Sequence, residues 1–336
     1  MTLVRYRAWW FNKIPLSVLL GVSLLAGNPL TLAACAAILT LVGTVCCAAN
    51  YGYALNDLFD VEEDRRGGRA NAAANVSPRA MWMTIACSGA AALAVATAAG
   101  GLAGFALTTA ELMLPLGYSI PPFRLKERGW LGILSDALAA HVYPAVLAVI
   151  IARHLGLADA TITFTAIAGI WALGTGLRGI ISHQLQNSEH DQVSALSTIV
   201  HRIGHRRVAS FAVFVILPAE VLCFTAMILQ FNSALLALTW AIYVAYECLK
   251  SALDVFPVMV FTRRGQRYLP FVDEGFYKVW GPLAAILTAG VTDPLYLSLL
   301  PVYVVLFRPR ISAEWDQVRA TADAAYKCFD RATART

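Results

Sequence analysis

Long apolar stretches separated by short polar segments dominate this sequence and limit what it can fold into. Ten of them are long enough, or nearly long enough, to cross a bilayer, whose hydrocarbon core takes about 20 apolar helical residues. They lie at residues 14–28, 30–55, 79–99, 101–117, 131–152, 159–182, 207–230, 233–249, 278–291 and 294–308. Backbone polar groups inside a bilayer have to be satisfied by the protein itself, which favours helices. We therefore expect an all-α, polytopic membrane helix bundle with about nine transmembrane helices, or ten if both short last stretches cross.

Composition and charge placement agree with a membrane protein. Of the 336 residues, 58% are hydrophobic and 14% are charged, whereas a soluble domain carries about 25% charged residues. The net charge of +5 does not indicate a nucleic-acid partner, because with the N-terminus inside only Arg153 of the 26 Lys and Arg falls in an outer loop. The positive-inside rule then places segments 56–79, 118–130, 183–206 and 261–278 on the cytoplasmic side. We expect an integral multi-pass protein embedded in the lipid bilayer, with its active site facing the cytoplasm.

The second apolar stretch ends in an acidic segment, residues 56–64, which holds five carboxylates. If the preceding helix continues, its period of about 3.6 residues brings Asp57, Asp60 and Asp64 within about 60° of one another. Carboxylate oxygens in such a row suit Mg²⁺, which binds a few carboxylates and completes its shell with water and substrate phosphates. The structural alternative is a solvated acidic loop just outside the membrane.

A second polar segment, residues 183–191, follows the sixth apolar stretch and can be laid over residues 56–64 without a gap. Gln184, Asn187 and Asp191 then take the positions of the three aspartates and form a second row of oxygen-bearing side chains. Repeat-built membrane proteins commonly place such sites where the two repeats face each other. The two rows are expected to face a shared cavity.

This repeat sets the expected domain organisation. Two pseudo-repeats, about 14–152 and 159–308, would form a single transmembrane domain over residues 1–310. Residues 311–336 mix apolar and charged residues at helical spacing and are expected to be a cytoplasmic tail without chemistry, on the membrane surface or loosely ordered.

Three segments carry motifs typical of one family. Residues 56–64 match the signature NDxxDxxxD in full, residues 118–126 are similar to a YSxPPx(R/K)LK loop, and residues 176–198 resemble a second polar motif. Over residues 15–290 the chain resembles the UbiA superfamily of intramembrane prenyltransferases. The resemblance implies a bundle, usually of nine spans, around a central cavity open laterally to lipid. It also implies two Mg²⁺ ions that hold an isoprenoid diphosphate between the two motifs.

The chain departs from the family pattern at several positions. Asn187 stands where an aspartate begins the second motif, and Ala195 and Ser197 replace a glycine and a basic residue. An Arg-Pro pair usually found after the first motif is missing, and residues 70–76 occupy that region. The departures imply a weaker second metal site. The lost cation could be replaced by Arg65, Arg66 or Arg69.

The resemblance implies a role for each matched residue. Asp57, Asp60 and Asp64 would hold the first Mg²⁺, and Asp191 with Asn187 would hold the second. The four aspartates are the expected catalytic residues. The alternative for Asn187 and Asp191 is a helix end capped by polar side chains.

The remaining expected contacts involve the substrate. Asn56 would support the metal site by a hydrogen bond, and Tyr118 and Tyr143 are candidates to stabilise an allylic cation through their ring faces. Cations suited to diphosphate oxygens are Arg124, Lys126 and Arg178. Arg178 lies within an apolar stretch, where a charge is costly and by default functional, although a structural pair with Asp136 is the alternative.

Three functions are compatible with these sequence features. The first is Mg²⁺-dependent transfer of a prenyl group from an isoprenoid diphosphate to a small-molecule acceptor, often aromatic in this family. The second keeps the ionisation step but cyclises the prenyl chain without an acceptor. The third is a transporter or scaffold, which would place carboxylates near the bilayer midplane instead of at helix ends. The sequence favours the first and leaves the acceptor and the donor length open.

Overall fold

The computed structural model describes residues 5–68, 70–193, 198–253, 255 and 273–333, with the side chains of residues 8, 187–193, 273–274 and 331–333 left out of the description. All regular structure in these residues is helical. The helices are α1 (Tyr6–Leu25), α2 (Leu32–Arg66), α3 (Pro78–Ser119), α4 (Trp130–Ala137), α5 (Tyr143–His154), α6 (Ile162–Val193), α7 (Ile199–Ile203), α8 (His205–Phe211), α9 (Leu217–Gln230), α10 (Ala234–Ala252), α11 (Gly281–Thr292) and α12 (Leu299–Thr333). The predicted all-α membrane bundle is confirmed.

Six helices in the described part are long and apolar enough to cross a membrane. Three of them are composite. π-helical turns at Leu138–Val142 and Ala212–Ile216 join α4 to α5 and α8 to α9, and a 3-10 helix at Pro294–Ser298 leads into α12. A shorter apolar helix covers Trp9–Leu25. The predicted total of nine transmembrane helices and the division into two pseudo-repeats stay predictions.

Helix α3 reverses direction at Gly101 and so consists of two antiparallel halves. Gly101 has φ 59° and ψ −148°, a conformation open to glycine because it has no Cβ. A Cβ added at Gly104 would collide with the carbonyl oxygen of Ala96, and one added at Gly89 would lie 3.7 Å from Leu112 Cδ1. In each pair the two residues lie at about equal distances in sequence from Gly101, on opposite sides of the turn. The two halves correspond to the separate apolar stretches 79–99 and 101–117.

Helix α1 joins the two parts of the bundle. It packs against α2 and α5 on one side and against α11 on the other. In the second half of the chain α6 packs on α9, and an aromatic cluster fills the interior. Phe224 lies at its centre, with its ring centroid 4.9 Å from those of Trp240 and Tyr277. Such edge-to-face pairs each add about 0.5–1.5 kcal/mol to burial.

The expected tail is part of the folded body. Helix α12 continues from the last apolar stretch through residues 311–333, with a kink at Phe307. Trp280 donates from Nε1 to Glu314 at 2.9 Å, and Lys250 donates from Nζ to Gln317 at 3.2 Å. Residues 311–333 are therefore part of a helix docked on α10 and on the π-helical segment Asp273–Trp280.

Candidate active site

Helix α2 runs unbroken through the acidic segment, as the aspartate spacing predicts. Asp57 and Asp60 face inward and are only 1% and 6% exposed. Glu62 points outward and pairs with Arg65 at 2.8 Å on the protein surface. The helix therefore separates the carboxylates into an inward face and a solvated face, and the inward one carries the motif residues.

The loop after α3 supplies cations to this inward face. Lys126 Nζ lies 2.5 Å from Asp60 Oδ1 and 3.1 Å from Glu63 Oε2. Arg124 Nη2 lies 2.7 Å from the same Glu63 oxygen. Although partial burial works against the charge, Glu127 and Glu63 raise the pKa of Arg124 above its ordinary value, so it stays cationic. The two cations predicted to bind diphosphate thus meet the carboxylates predicted to bind metal.

The N-terminal segment adds a cation that sequence reasoning missed. Arg5 Nη1 donates to Asp57 Oδ1 at 2.6 Å, and its guanidinium carbon lies 5.9 Å from the centre of the Tyr53 ring. The contact joins residues 52 positions apart, which no local pattern shows.

Asn71 is a second missed residue, and it lies in the region where the family's Arg-Pro pair is absent. It is 4% exposed, and its Nδ2 donates to Asp64 Oδ2 at 2.8 Å and to the Asp57 carbonyl oxygen at 2.9 Å. Its Oδ1 accepts from the Ala73 amide at 2.8 Å. A neutral amide thus supports the last aspartate of the motif.

The expected cationic replacements do not take this place. Arg65 and Arg66 both pair with Glu62 on the outer face of α2, since they follow it by three and four residues on the helix. Arg69 lies outside the described residues.

The donor set fits Mg²⁺ in chemistry but is not assembled as a metal cluster. In the described part of the chain, no group of three His, Cys, Asp or Glu side chains is placed to hold a metal. Instead Asp57, Asp60 and Asp64 bond to Arg5, Lys126 and Asn71, respectively. Hard carboxylate oxygens that already attract positive charge are suitable Mg²⁺ ligands.

In the second polar segment, the side-chain oxygen of Gln184 is a candidate ligand-binding atom. Gln184, which the repeat aligns with Asp57, is 9% exposed, and its Oε1 has no hydrogen-bond partner among the described residues. A buried acceptor without a donor is rare in folded proteins and fits a site that receives a ligand or cation. The side chains of Asn187 and Asp191 lie outside the description.

Arg178 has a partner that neither expectation named. It forms a buried ion pair with Glu220, with Nη2 2.7 Å from Oε1. This partner lies on α9 and differs from the structural alternative, Asp136, while the contact of Arg178 with diphosphate stays a prediction. Glu220 is an isolated acid in the seventh apolar stretch, and that isolation is the signal that could have found the pair.

Polar groups continue from the motif into the bundle. Ser119 Oγ donates to Asn56 Oδ1 at 3.4 Å, so Asn56 contacts the helix end that carries Tyr118. Deeper in, the hydroxyl groups of Tyr143 and Thr108 lie 3.1 Å apart. An interior cavity nearby is lined by residues of α1, α5, α6 and the turn between α4 and α5, among them Lys13, Ser17, His141, Pro144 and Trp171.

Comparison with known proteins agrees with this architecture. The UbiA homologue from Archaeoglobus fulgidus bound to DMAPP and Mg²⁺ superposes with a TM-score of 0.52 at 17% identity, over 94% of this chain and 98% of that one. The UbiA homologue from Aeropyrum pernix K1, solved in its apo form, gives 0.55 at 18% identity, over 88% and 99%. These likenesses concern the fold.

Sequence comparison defines the family. The lycopene elongase/hydratase of Haloarcula japonica is 26% identical over 207 residues, which cover 61% of this chain and 66% of that protein. The match thus spans just under two thirds of the relative's length. Residues 14–255 match the profile of the UbiA prenyltransferase family. A match over this much of the chain shows that the protein belongs to the UbiA prenyltransferase family.

Proposed function

We propose that the protein transfers a prenyl group from an isoprenoid diphosphate to a small-molecule acceptor in a Mg²⁺-dependent reaction that releases diphosphate. The contact of Lys126 with Asp60 and Glu63 carries this proposal. In this contact a cation suited to phosphate oxygens lies directly beside the motif carboxylates. The A. fulgidus homologue bound to DMAPP and Mg²⁺ supports the same pair of ligands.

In the proposed reaction, the polar end of the site binds the metal and the diphosphate, and the apolar end holds the prenyl chain. When bound by Asp57, Asp60 and Asp64, with Asp191 and Asn187 opposite, Mg²⁺ would neutralise the charge that builds on the leaving diphosphate. Lys126 offers a point charge and Arg124 a planar fork to the diphosphate oxygens. The allylic C–O bond breaks and its electron pair leaves with the diphosphate.

The apolar side of the site would hold the prenyl chain. An allylic cation is stabilised by aromatic faces, for which Tyr118 and Tyr143 remain our candidates. The acceptor's π electrons then form the new C–C bond, and a proton leaves the acceptor. An aromatic ring is the acceptor we propose, and the name of the H. japonica relative adds polyenes to the classes to be tested.

The decisive experiment is an incubation of the purified protein with prenyl diphosphates of increasing length, with and without Mg²⁺. Diphosphate release and organic-soluble products are followed, first without an acceptor and then with aromatic and polyene acceptors. We expect prenylated products only when Mg²⁺ and an acceptor are both present. A cyclic hydrocarbon or alcohol formed without an acceptor would establish the cyclase instead.

Variants connect the activity to the site. Asp60→Asn and Asp64→Asn are expected to lose nearly all Mg²⁺-dependent turnover while still inserting into membranes. Glu62→Gln is the matched control, because it removes a carboxylate from the outer face of the same helix. Retained turnover in the aspartate variants would remove the metal assignment.

The cytoplasmic orientation of the site is part of the proposal and rests on the distribution of basic residues. It can be tested with a membrane-impermeant thiol reagent on intact cells, in a protein whose native cysteines are replaced. A cysteine at Asp159 is expected to react and one at Ser77 to be protected. The opposite pattern would reverse the topology.

A further inference from the structure

The guanidinium of Arg5 lies beside the first aspartate of the motif, where a second anion could also reach it. It comes from the segment before α1 and bonds to Asp57, whose side chain is 2% exposed, while its own side chain is 32% exposed. Within the described part of the chain, Asp57 is its only hydrogen-bonding partner. One edge of the guanidinium is therefore engaged and the rest is available to another anion.

The bond of Arg5 to Asp57 would compete with a metal ion for the same carboxylate. A guanidinium and a metal ion compete for the same carboxylate oxygens, and Mg²⁺ bound by Asp57 would displace the Nη1 contact. The displaced cation would stay close, since the Tyr53 ring lies 5.9 Å from it. About two thirds of the Arg5 side chain is buried, and a partly buried cation favours an anion at short range.

We propose that Arg5 binds the substrate diphosphate and exchanges between two partners, Asp57 in the free protein and the diphosphate when Mg²⁺ and substrate are bound. This inference rests on the proposed function. The diphosphate is the anion that Mg²⁺ itself brings to Asp57, and its oxygens match the planar fork of an arginine. The N-terminal segment would thus complete a ring of three cations, with Arg124 and Lys126 contributed by the loop after α3.

The exchange makes two binding predictions of opposite sign. Removing the guanidinium frees Asp57, so Mg²⁺ alone should bind at least as tightly, by up to about tenfold. The same change removes a charge-assisted contact to the diphosphate, worth about tenfold or more in affinity. A residue that merely supports the shape of the site would weaken both equilibria together.

The test is calorimetric titration of Arg5→Gln in detergent, first with Mg²⁺ alone and then with S-geranyl thiodiphosphate in the presence of Mg²⁺. The bridging sulfur of this probe slows ionisation, so binding is measured apart from turnover. Arg7→Gln is the matched control, because Arg7 lies two residues on, is exposed, and donates to the Tyr6 hydroxyl at 3.2 Å. Arg5→Lys, which keeps the charge but loses the fork, should fall between the wild type and Arg5→Gln.

The outcomes separate this inference from the proposed function. Weaker probe binding together with equal or tighter Mg²⁺ binding in Arg5→Gln supports the exchange. Probe binding equal to the wild type, or a parallel loss of both ligands, overturns it and leaves the prenyltransferase proposal intact. A wild-type protein that binds neither this probe nor its analogues with longer prenyl chains in the presence of Mg²⁺ overturns both. If Arg5→Gln is not monodisperse, the same comparison is made with Arg5→Lys, for which wild-type probe affinity would overturn the role of the fork.

Discussion

Arg178 on α6 and Glu220 on α9 form a doubly hydrogen-bonded ion pair inside the membrane domain, with Nε 2.8 Å from Oε2 and Nη2 2.7 Å from Oε1. Their side chains are 1% and 0% exposed. The close approach depends on Gly174, because a Cβ there would lie 3.0 Å from the Glu220 Cβ. A pair of this kind fixes the register of α6 against α9.

Breaking this pair from one side should be costly. Arg178→Met leaves Glu220 buried without its partner, for which we expect a loss of about 3–5 kcal/mol in the free energy of unfolding. The double variant Arg178→Met/Glu220→Met should lose less than the sum of the two single changes. Unfolding of the purified proteins in detergent measures all three. Additive losses would show that the two side chains do not act as a pair.

Lys126 should control affinity for the prenyl diphosphate. Lys126→Met removes the cation shared by Asp60 and Glu63, and we expect probe affinity in the presence of Mg²⁺ to fall about 10-fold to 100-fold. Arg128→Gln is the comparison within the same loop, since Arg128 donates to the Pro122 carbonyl oxygen at 2.7 Å instead of contacting the carboxylates. An equal loss in both variants would indicate a loop defect instead of a lost phosphate contact.

Asn71 should stabilise the end of α2. Asn71→Ala removes the acceptor of the Ala73 amide and the amide donor to Asp64, at a cost of about 1–3 kcal/mol. Mg²⁺ affinity should fall with it, because Asp64 loses the contact that orients it. Asn75→Ala is the control, since Asn75 is exposed in the same loop. Unfolding in detergent and Mg²⁺ titration report the two effects, and wild-type values for Asn71→Ala would contradict them.

The reversal in α3 should tolerate no side chain at Gly104. Gly104→Ala forces a methyl group into the Ala96 carbonyl oxygen, so we expect low yields of folded protein and early unfolding. Gly43→Ala is the control, because a Cβ at Gly43 meets nothing within 4 Å and alanine favours helix by about 1 kcal/mol over glycine. Yield and unfolding temperature of both variants check this.

Asp293 should make part of the stability depend on pH. Its carboxylate accepts from the amides of Leu30 at 2.8 Å and Leu295 at 3.0 Å, and the hydrogen bonds from Leu295 and Leu30 lower its pKa. A lowered pKa means that the contribution is present above the unfolded value of about 3.9 and is lost as pH falls through the folded pKa. The unfolding temperature of the wild type should exceed that of Asp293→Asn near neutral pH. The gap should close in acid, and a constant gap would exclude this origin.

Much of the architecture could be predicted from local pattern. The apolar stretches locate the helices, and the spacing of Asp57, Asp60 and Asp64 predicts their common face, because both depend only on helical geometry. The motif loop also predicts Arg124 and Lys126 as the cations near the aspartates. These features lie within short segments, where sequence spacing and spatial spacing are nearly the same.

Two of the missed contacts join segments that are distant in sequence. Arg5 meets Asp57 only because α1 packs on α2, and Arg178 meets Glu220 only because α6 packs on α9. The role of Asn71 depends on a short loop that folds back over the end of α2, and no periodicity describes such a loop. Tertiary packing determines these partners, and the local patterns of a single sequence do not predict it.

The reversal at Gly101 also bears on how the protein is made. Its two halves are joined by a single turn, with no loop between them. Each half is long enough to cross a bilayer, which takes about 20 helical residues. We therefore expect the two halves to enter the membrane together as a helical hairpin.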